Sequence, residues 1–231
     1  MQSHIVIIVA AGSGSRYGSD LPKQFHNLCG RPVLAHTIDA FRSALPDARI
    51  LLVLSPAMVP VWRQMCADNL IESPEIVSGG KTRWESVGNA IQALGDEAAS
   101  AIVLVHDGAR PLVTADVIKR AAACARNTDG AIPAIPVTDS LRRLDSDEVS
   151  SEPVDRSVFR AVQTPQAFSL WRLRDAYTLP YDSSFTDDAS VLAAAGYSNV
   201  VLVEGSPENI KITTPVDMLL AEAILQARPQ Q

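Results

Sequence analysis

Apolar runs of strand length alternate along the chain with segments whose apolar residues recur at helical spacing, beginning at Ile5. These runs predict strands at about 5–10, 49–54, 75–77, 101–106, 130–137 and 199–203, with helices between most of them. In the helix expected over 32–44, Val33, Ala40, Phe41 and Ala44 fall on or near one face. Pro32 fits its first turn, where an N–H has no partner to lose. Thr114 and Asp116 mark the start of another helix over 114–125, as a capping hydroxyl and an acidic first-turn residue. A last helix begins near Thr214-Pro215 and carries Met218, Leu219, Ala221, Ile224 and Leu225. Repeated βαβ units imply an α/β fold: a Rossmann-like, mostly parallel sheet with helices on both faces.

The pattern breaks between Val137 and Val162, where the chain turns polar and Asp145-Ser146-Asp147 signals a turn between two short alternating runs. A protruding β-hairpin arm is expected at about 138–160. A two-stranded ribbon is marginal by itself, so the arm should lean on something, and a second subunit is the natural support. A mobile surface loop is the alternative. The rest of residues 1–231 reads as one domain, long enough to bury a sizeable core. There is no internal repeat, and only the tail 229–231 has a disordered composition.

Charge and cysteine usage narrow the classes. A net charge of −6 argues against a nucleic-acid binder, which needs a basic face, but not against an anionic small substrate drawn to a local cluster of cations. The longest apolar runs are too short for a membrane span. The N-terminus enters its first strand without a basic region or a cleavage site, so no export signal is expected. Three widely separated cysteines, Cys29, Cys66 and Cys124, form no paired motif and suit a reducing compartment, the cytoplasm.

The candidate chemistry begins where the first strand ends, in Ala10-Ala11-Gly12-Ser13-Gly14-Ser15-Arg16-Tyr17-Gly18, followed by Pro22-Lys23-Gln24. Glycines after a first strand let backbone amides approach a phosphate. The loop is not a dinucleotide fingerprint, because Tyr17 occupies the place of the third glycine. It is not a P-loop either: no Lys-Ser or Lys-Thr follows Gly18, and Gly80-Lys81-Thr82 has Glu75 at the required first glycine. What remains is a glycine loop with two cations, Arg16 and Lys23. Those are suitable parts for nucleotidyl transfer, in which the protein mainly positions phosphates and neutralises their charge.

The loop and the following Pro22-Lys23-Gln24-Phe25 closely resemble the signature of nucleotidyltransferases that activate sugar and polyol phosphates. Within them the chain resembles the 2-C-methyl-D-erythritol 4-phosphate cytidylyltransferase family of the non-mevalonate isoprenoid pathway. Further stretches fit in order: 79–87, 105–111, 136–140, 154–156, 163–168, 203–205 and 209–213. The resemblance implies that the loop backbone (Ala10, Ala11, Gly12, Gly14) and Arg16 hold the CTP triphosphate. It implies that Lys23 stabilises the pentavalent transition state and that Lys211 contacts the phosphates from the far end of the fold. Gly79, Gly80 and Ser86 would read the cytosine, with Arg83 nearby. Asp107, on the CTP side, and Arg110, on the acceptor side, belong to a motif lining the substrate site; Thr164 lies on another substrate-facing loop. Ser140 and Arg156 on the arm would reach the polyol phosphate of the neighbouring subunit of a homodimer. Magnesium is expected on the CTP phosphates rather than in a protein cage, with Asp107 at most a contributor.

Local alternatives accompany these roles. Asp107 could cap the turn after its strand, Lys211 could be a solvated lysine between Ile210 and Ile212, and Ser140 and Arg156 could be ordinary hairpin residues. Thr186-Asp187-Asp188 reads as an N-cap with acidic first-turn residues and stands outside the candidate site. Trp84 and Trp171 read as packing residues. Gly108 stands where the family often has Ala, and Ser140 where Thr is more usual. Three other functions compete: a ribitol 5-phosphate cytidylyltransferase, a nucleotide-binding regulatory protein without turnover, and, already disfavoured by Tyr17, a dinucleotide-dependent oxidoreductase.

Overall fold

In the computed structural model, which describes residues 3–12, 21–97, 99–146 and 149–228, the first strand is buried on both faces. Ile5 and Ile7 point into one apolar cluster, Val6 and Ile8 into another on the opposite side. Such two-sided burial is what a near-continuous Ile/Val run is suited to, and it places this strand at the centre of the sheet.

The strands are β1 (His4–Val9), β2 (Asn27–Leu28), β3 (Arg31–Pro32), β4 (Arg49–Leu54), β5 (Glu75–Ser78) and β6 (Ile102–Asp107). They continue with β7 (Gly130–Pro136), β8 (Leu141–Leu144), β9 (Ser151–Val154), β10 (Arg160–Val162), β11 (Gln166–Ser169) and β12 (Val200–Glu204). The helices are α1 (Val33–Ala44), α2 (Val59–Asp68), α3 (Arg83–Ala93), α4 (Ala115–Cys124), α5 (Leu170–Ala176), α6 (Asp188–Ala194) and α7 (Pro215–Ala227). Pro32 sits one position ahead of α1, at its N-cap. Thr114 caps α4 by accepting a bond from Val117 N, with Asp116 in the first turn.

The main sheet runs β10-β7-β11-β6-β1-β4-β5, with β12 on the other side of β7. β5, β4, β1 and β6 are mutually parallel. β11 enters antiparallel between β6 and β7, and β10 follows it along the same side of β7, so Gln163-Thr164-Pro165 interrupts the line of pairing. The alternating pattern does not reveal β10 and β11. They are three and four residues long, and their strand geometry comes from the neighbours they join. One face of the sheet is covered by α1, α2 and α4, which contribute Leu34, Phe41, Trp62 and Ile118; the other is covered by α3, α5 and α6, which contribute Val87, Leu173 and Leu192. Each such fully buried side chain contributes roughly 1.5–3 kcal/mol, so the strand ends that carry the site rest on a stiff base. α7 packs Met218 and Ala221 on Leu28, Leu112 and Ile212.

β8 and β9 form a separate antiparallel ribbon, Leu141 opposite Val154 and Leu144 opposite Ser151. Its residues are mostly exposed. Asp147 of the expected turn and the tail 229–231 lie outside the described residues, as do Gly14 and Arg16.

Candidate active site

The order of the sheet reverses at β1: the chain moves from β1 to β4 and β5 on one side, then returns to β6 on the other. α1 and α4, which follow β1 and β6, lie on one face and α3, which follows β5, on the other, so the loops leaving these strands open a crevice at the strand ends, the usual ligand position in such sheets. The cleft there has a volume of about 310 Å³. It is bounded by Ala10, Ala11 and Gly12 after β1, Gly80–Arg83 and Ser86 around the start of α3, Asp107 and Ala109 after β6, and Lys23 and Lys211.

Local bonds explain how each wall is held. Ala10 N and Gly108 N donate to Val53 O and Val9 O, fixing the exits of β1 and β6. Buried Gln24 donates through Nε2 to Ala10 O (2.7 Å) and Gly12 O (3.1 Å), bracing the glycine loop from below. Lys23 stands beside it on a single 3-10 turn (Lys23–Phe25) anchored by buried Phe25. Gly79 N donates to Leu54 O (2.8 Å). A side chain at Gly79 would run into Ala11 Cβ, and one at Gly80 into Glu85 Cβ, so both positions need glycine for close approach. Thr82 caps α3 by accepting from Glu85 N (3.0 Å). Ser86 is buried, accepts from Gly80 N (3.1 Å) and donates to Thr82 O (2.8 Å), so its hydroxyl shapes the loop at the edge of the cleft.

The electrostatic centre is Asp107. Its Oδ2 receives Lys211 Nζ at 3.0 Å and Arg110 Nε at 3.3 Å; its Oδ1 lies 3.8 Å from Arg83 Nε. Burial favours the neutral acid, but Lys211, Arg83 and Arg110 outweigh it and hold the carboxyl well below the usual carboxylate range. Arg110 also donates to Asn209 O (2.8 Å), and Ile212 N donates to Ala109 O (2.9 Å). These two bonds clamp the segment before α7 against the β6 loop and bring Lys211 into the cleft, 188 residues beyond Lys23 by their numbers.

Thr164 lies behind the cleft. Its hydroxyl accepts from Asp107 N (3.0 Å) and donates to His106 Nδ1 (3.0 Å), while His106 Nε2–H donates to Arg110 O (3.1 Å). Burial lowers the His106 pKa to about 4, so the ring is neutral and serves as a spacer in this network, with Phe41 edge-on at 4.9 Å. Asn209 Nδ2 donates to Thr164 O (2.9 Å), closing the ring of contacts. Ser140 and Arg156 are exposed and do not line the cleft of this chain; Arg156 donates to Thr138 O.

Several contributors escape a reading of motifs alone. Gln24, His106 and Asn209 stand inside the quoted stretches, but which atoms they bond is decided by distant loops. Asp187 caps α6, as its sequence suggests, accepting from Ser190 N (2.8 Å). Asp188 differs: it is fully buried and pairs with Arg83 through Nη1 (3.0 Å) and Nη2 (2.7 Å). Trp84 stacks on Tyr177 at 5.6 Å, in keeping with a packing role.

Among the described residues no group of three or more His, Cys, Asp or Glu is placed to hold a metal ion. Among the described residues Asp107 is the single carboxylate on the cleft, and its oxygens face cations. This donor set fits a magnesium ion held chiefly through substrate phosphates, the common mode for that ion.

Among the described residues the cleft has Lys23, Lys81, Arg83 and Lys211 against Asp107, so this lining is locally cationic on a protein of net charge −6. A glycine-walled, cationic crevice at the switch point of a mostly parallel sheet defines a nucleotide-handling α/β enzyme of the nucleotidyltransferase class. A sequence model of the family described as 2-C-methyl-D-erythritol 4-phosphate cytidylyltransferase matches residues 4–227, and the chain belongs to that family. A relative of that name from Bacteroides thetaiotaomicron is 44% identical over 221 residues, covering 95% of this chain and 98% of the relative. Another from Cereibacter sphaeroides is 44% identical over 220 residues, covering 95% of each. The crystal structure of the Thermus thermophilus enzyme of that name is similar with a TM-score of 0.74 at 34% identity, covering 98% of this chain and 100% of that one.

Proposed function

We propose that the protein transfers CMP from CTP to 2-C-methyl-D-erythritol 4-phosphate, releasing pyrophosphate and giving 4-diphosphocytidyl-2-C-methyl-D-erythritol for isoprenoid precursor synthesis. Membership of the family carries this reading, and the convergence of Lys23 and Lys211 on one glycine-walled cleft supports it. An oxygen of the acceptor phosphate attacks the α-phosphorus of CTP, and the bond from that phosphorus to the β-phosphate bridging oxygen breaks. The acceptor monoester is largely deprotonated near neutral pH, so no strong general base is needed. The protein's part is to hold donor and acceptor in line and to stabilise the charge on the pentavalent phosphorus and the leaving pyrophosphate. Lys23 serves the phosphates from the β1 side and Lys211 from the α7 side, and the family resemblance assigns Arg16 to the same triphosphate. Gly79, Gly80 and Ser86 offer the base a narrow slot, with Ala10, Ala11 and Gly12 behind the phosphates; the family resemblance assigns Gly14 to the triphosphate as well. A magnesium ion would be held chiefly by the substrate phosphates, with Asp107 at most a contributor, and would offset their negative charge.

The acceptor is assigned to Arg110 and to Ser140 and Arg156 from the arm of a second copy, with Thr164 acting through Asp107 and His106. The arm exposes Leu144, Val158 and Phe159, and Val162 is exposed on adjoining β10, apolar surface that a homodimer would cover. Three free cysteines suit the cytoplasm, and no helix among the described residues is long and apolar enough to cross a membrane.

Pyrophosphate release measured with CTP and each of two acceptors tests the assignment. The methylerythritol phosphate should be turned over at least about 100-fold more efficiently than ribitol 5-phosphate, a gap consistent with lost polar contacts. The reverse preference would assign the ribitol enzyme, and CTP binding without turnover would assign a regulatory protein. Light scattering should give a dimer of the 24.8 kDa chain; a fully active monomer would remove the arm from the acceptor site.

A further inference from the structure

We propose that Asp188 is a positioning residue for nucleotide binding: it holds the Arg83 guanidinium back from Asp107 and so keeps the floor of the cleft open for CTP. The proposal rests on the CTP-dependent reading above.

Asp188 has no exposed surface, and a buried carboxylate persists only when its charge is matched and its oxygens are bonded. Both conditions are met. Oδ1 accepts from Arg83 Nη1 (3.0 Å) and from Tyr177 Oη (2.6 Å); Oδ2 accepts from Arg83 Nη2 (2.7 Å). The forked end of Arg83 is thus engaged by Asp188, while its Nε faces Asp107 at 3.8 Å, a weaker approach. One guanidinium stands between two buried carboxylates and is bonded more closely, through both Nη atoms, to Asp188. Burial opposes the Arg83 charge, but the pairing with Asp188 outweighs it and raises the pKa. Burial, reinforced by Asp188, also pushes the Tyr177 phenol well above its ordinary range, so it stays a donor.

The anchor itself is fixed from outside the cleft. Gln166 on β11 donates to Asp187 Oδ2 (2.8 Å) and accepts from Ala189 N (3.1 Å), tying the first turn of α6 to the sheet. Arg83 opens α3 directly after the Gly79–Thr82 wall. Asp188 therefore controls a side chain that touches two walls at once. Without its charge, Arg83 would shift towards Asp107, enter the space of the nucleotide and compete with Lys211 for the same carboxylate.

Calorimetric CTP binding and steady-state kinetics on Asp188→Asn and Tyr177→Phe, each also in an Arg83→Met background, test this. Asp188→Asn should weaken CTP binding and raise its KM by about tenfold, with kcat changed less than about threefold, the scale of one charge-assisted bond. Tyr177→Phe should weaken CTP about threefold. In the Arg83→Met background neither change should weaken CTP further, and Asp188→Asn should raise the melting temperature by removing an unpaired buried charge. CTP affinity unaltered by Asp188→Asn, or weakened equally in both backgrounds, overturns the proposal. If Asp188→Asn does not fold, wild-type affinity in Tyr177→Phe overturns it alone. A wild-type protein that fails to bind CTP overturns the functional reading and this proposal together.

Discussion

Replacing Lys23 or Lys211 by Ala is expected to lower kcat by roughly two to three orders of magnitude, the cost of one lost transition-state contact in a preorganised site. The two ammonium groups arrive from opposite ends of the chain, one on the 3-10 turn after the glycine loop, the other on the segment clamped to Ala109. Charge builds on the phosphoryl oxygens as the bond to pyrophosphate breaks, so cations fixed beforehand act more on the transition state than on bound CTP. The fold should survive either change. Without Lys211, Asp107 still faces Arg110 and Arg83, so its charge remains matched. Single-turnover rates, with circular dichroism to confirm folding, check the expectation. Near-normal turnover in a folded variant would remove that lysine from the mechanism.

Gly79→Ala should cost nearly as much, about 100-fold in kcat/KM for CTP, by displacing the base-side wall through a distance of order 1 Å. The added methyl would land on Ala11 Cβ and lie 3.2 Å from Ser86 Oγ and 3.4 Å from Leu54 O. None of these neighbours is the free end of a flexible chain, and carbon atoms need about 3.5–4.0 Å. Relief therefore requires the β1 and β5 loops to part, which opens the slot proposed for the cytosine. Gly88→Ala is the matched control: on α3, its methyl would meet only Tyr177 Cδ1 at 3.7 Å, an ordinary contact. Greater helix propensity should leave that variant as stable as the parent or more so. Equal losses of activity in both variants would show that the slot is not tight.

The central strands could be read from the chain because burial on both sides demands uninterrupted Ile, Val and Leu, as in 5–9 and 102–105. The glycine loop could be read because few residues allow a backbone to approach so closely. β10 and β11 were hidden: Arg160–Val162 and Gln166–Ser169 carry no period of their own and are ordered by β7 and β6. Asp188 was hidden differently. A Thr-Asp-Asp run at a helix start looks the same whether its second acid faces water or an arginine 105 residues away.

Local composition, then, settled the class of the fold, the position of the glycine loop and the resemblance to one family, since each depends on neighbouring residues in a fixed spacing. Convergence was decided elsewhere. Which cations share Asp107, which hydroxyl supports its backbone, and which buried acid restrains Arg83 are consequences of β6 returning across β1 and of α6 and the segment before α7 packing beside it. A charge or a hydrogen bond acts over a few ångströms in space, and only the folded sheet determines which distant residues come within that range.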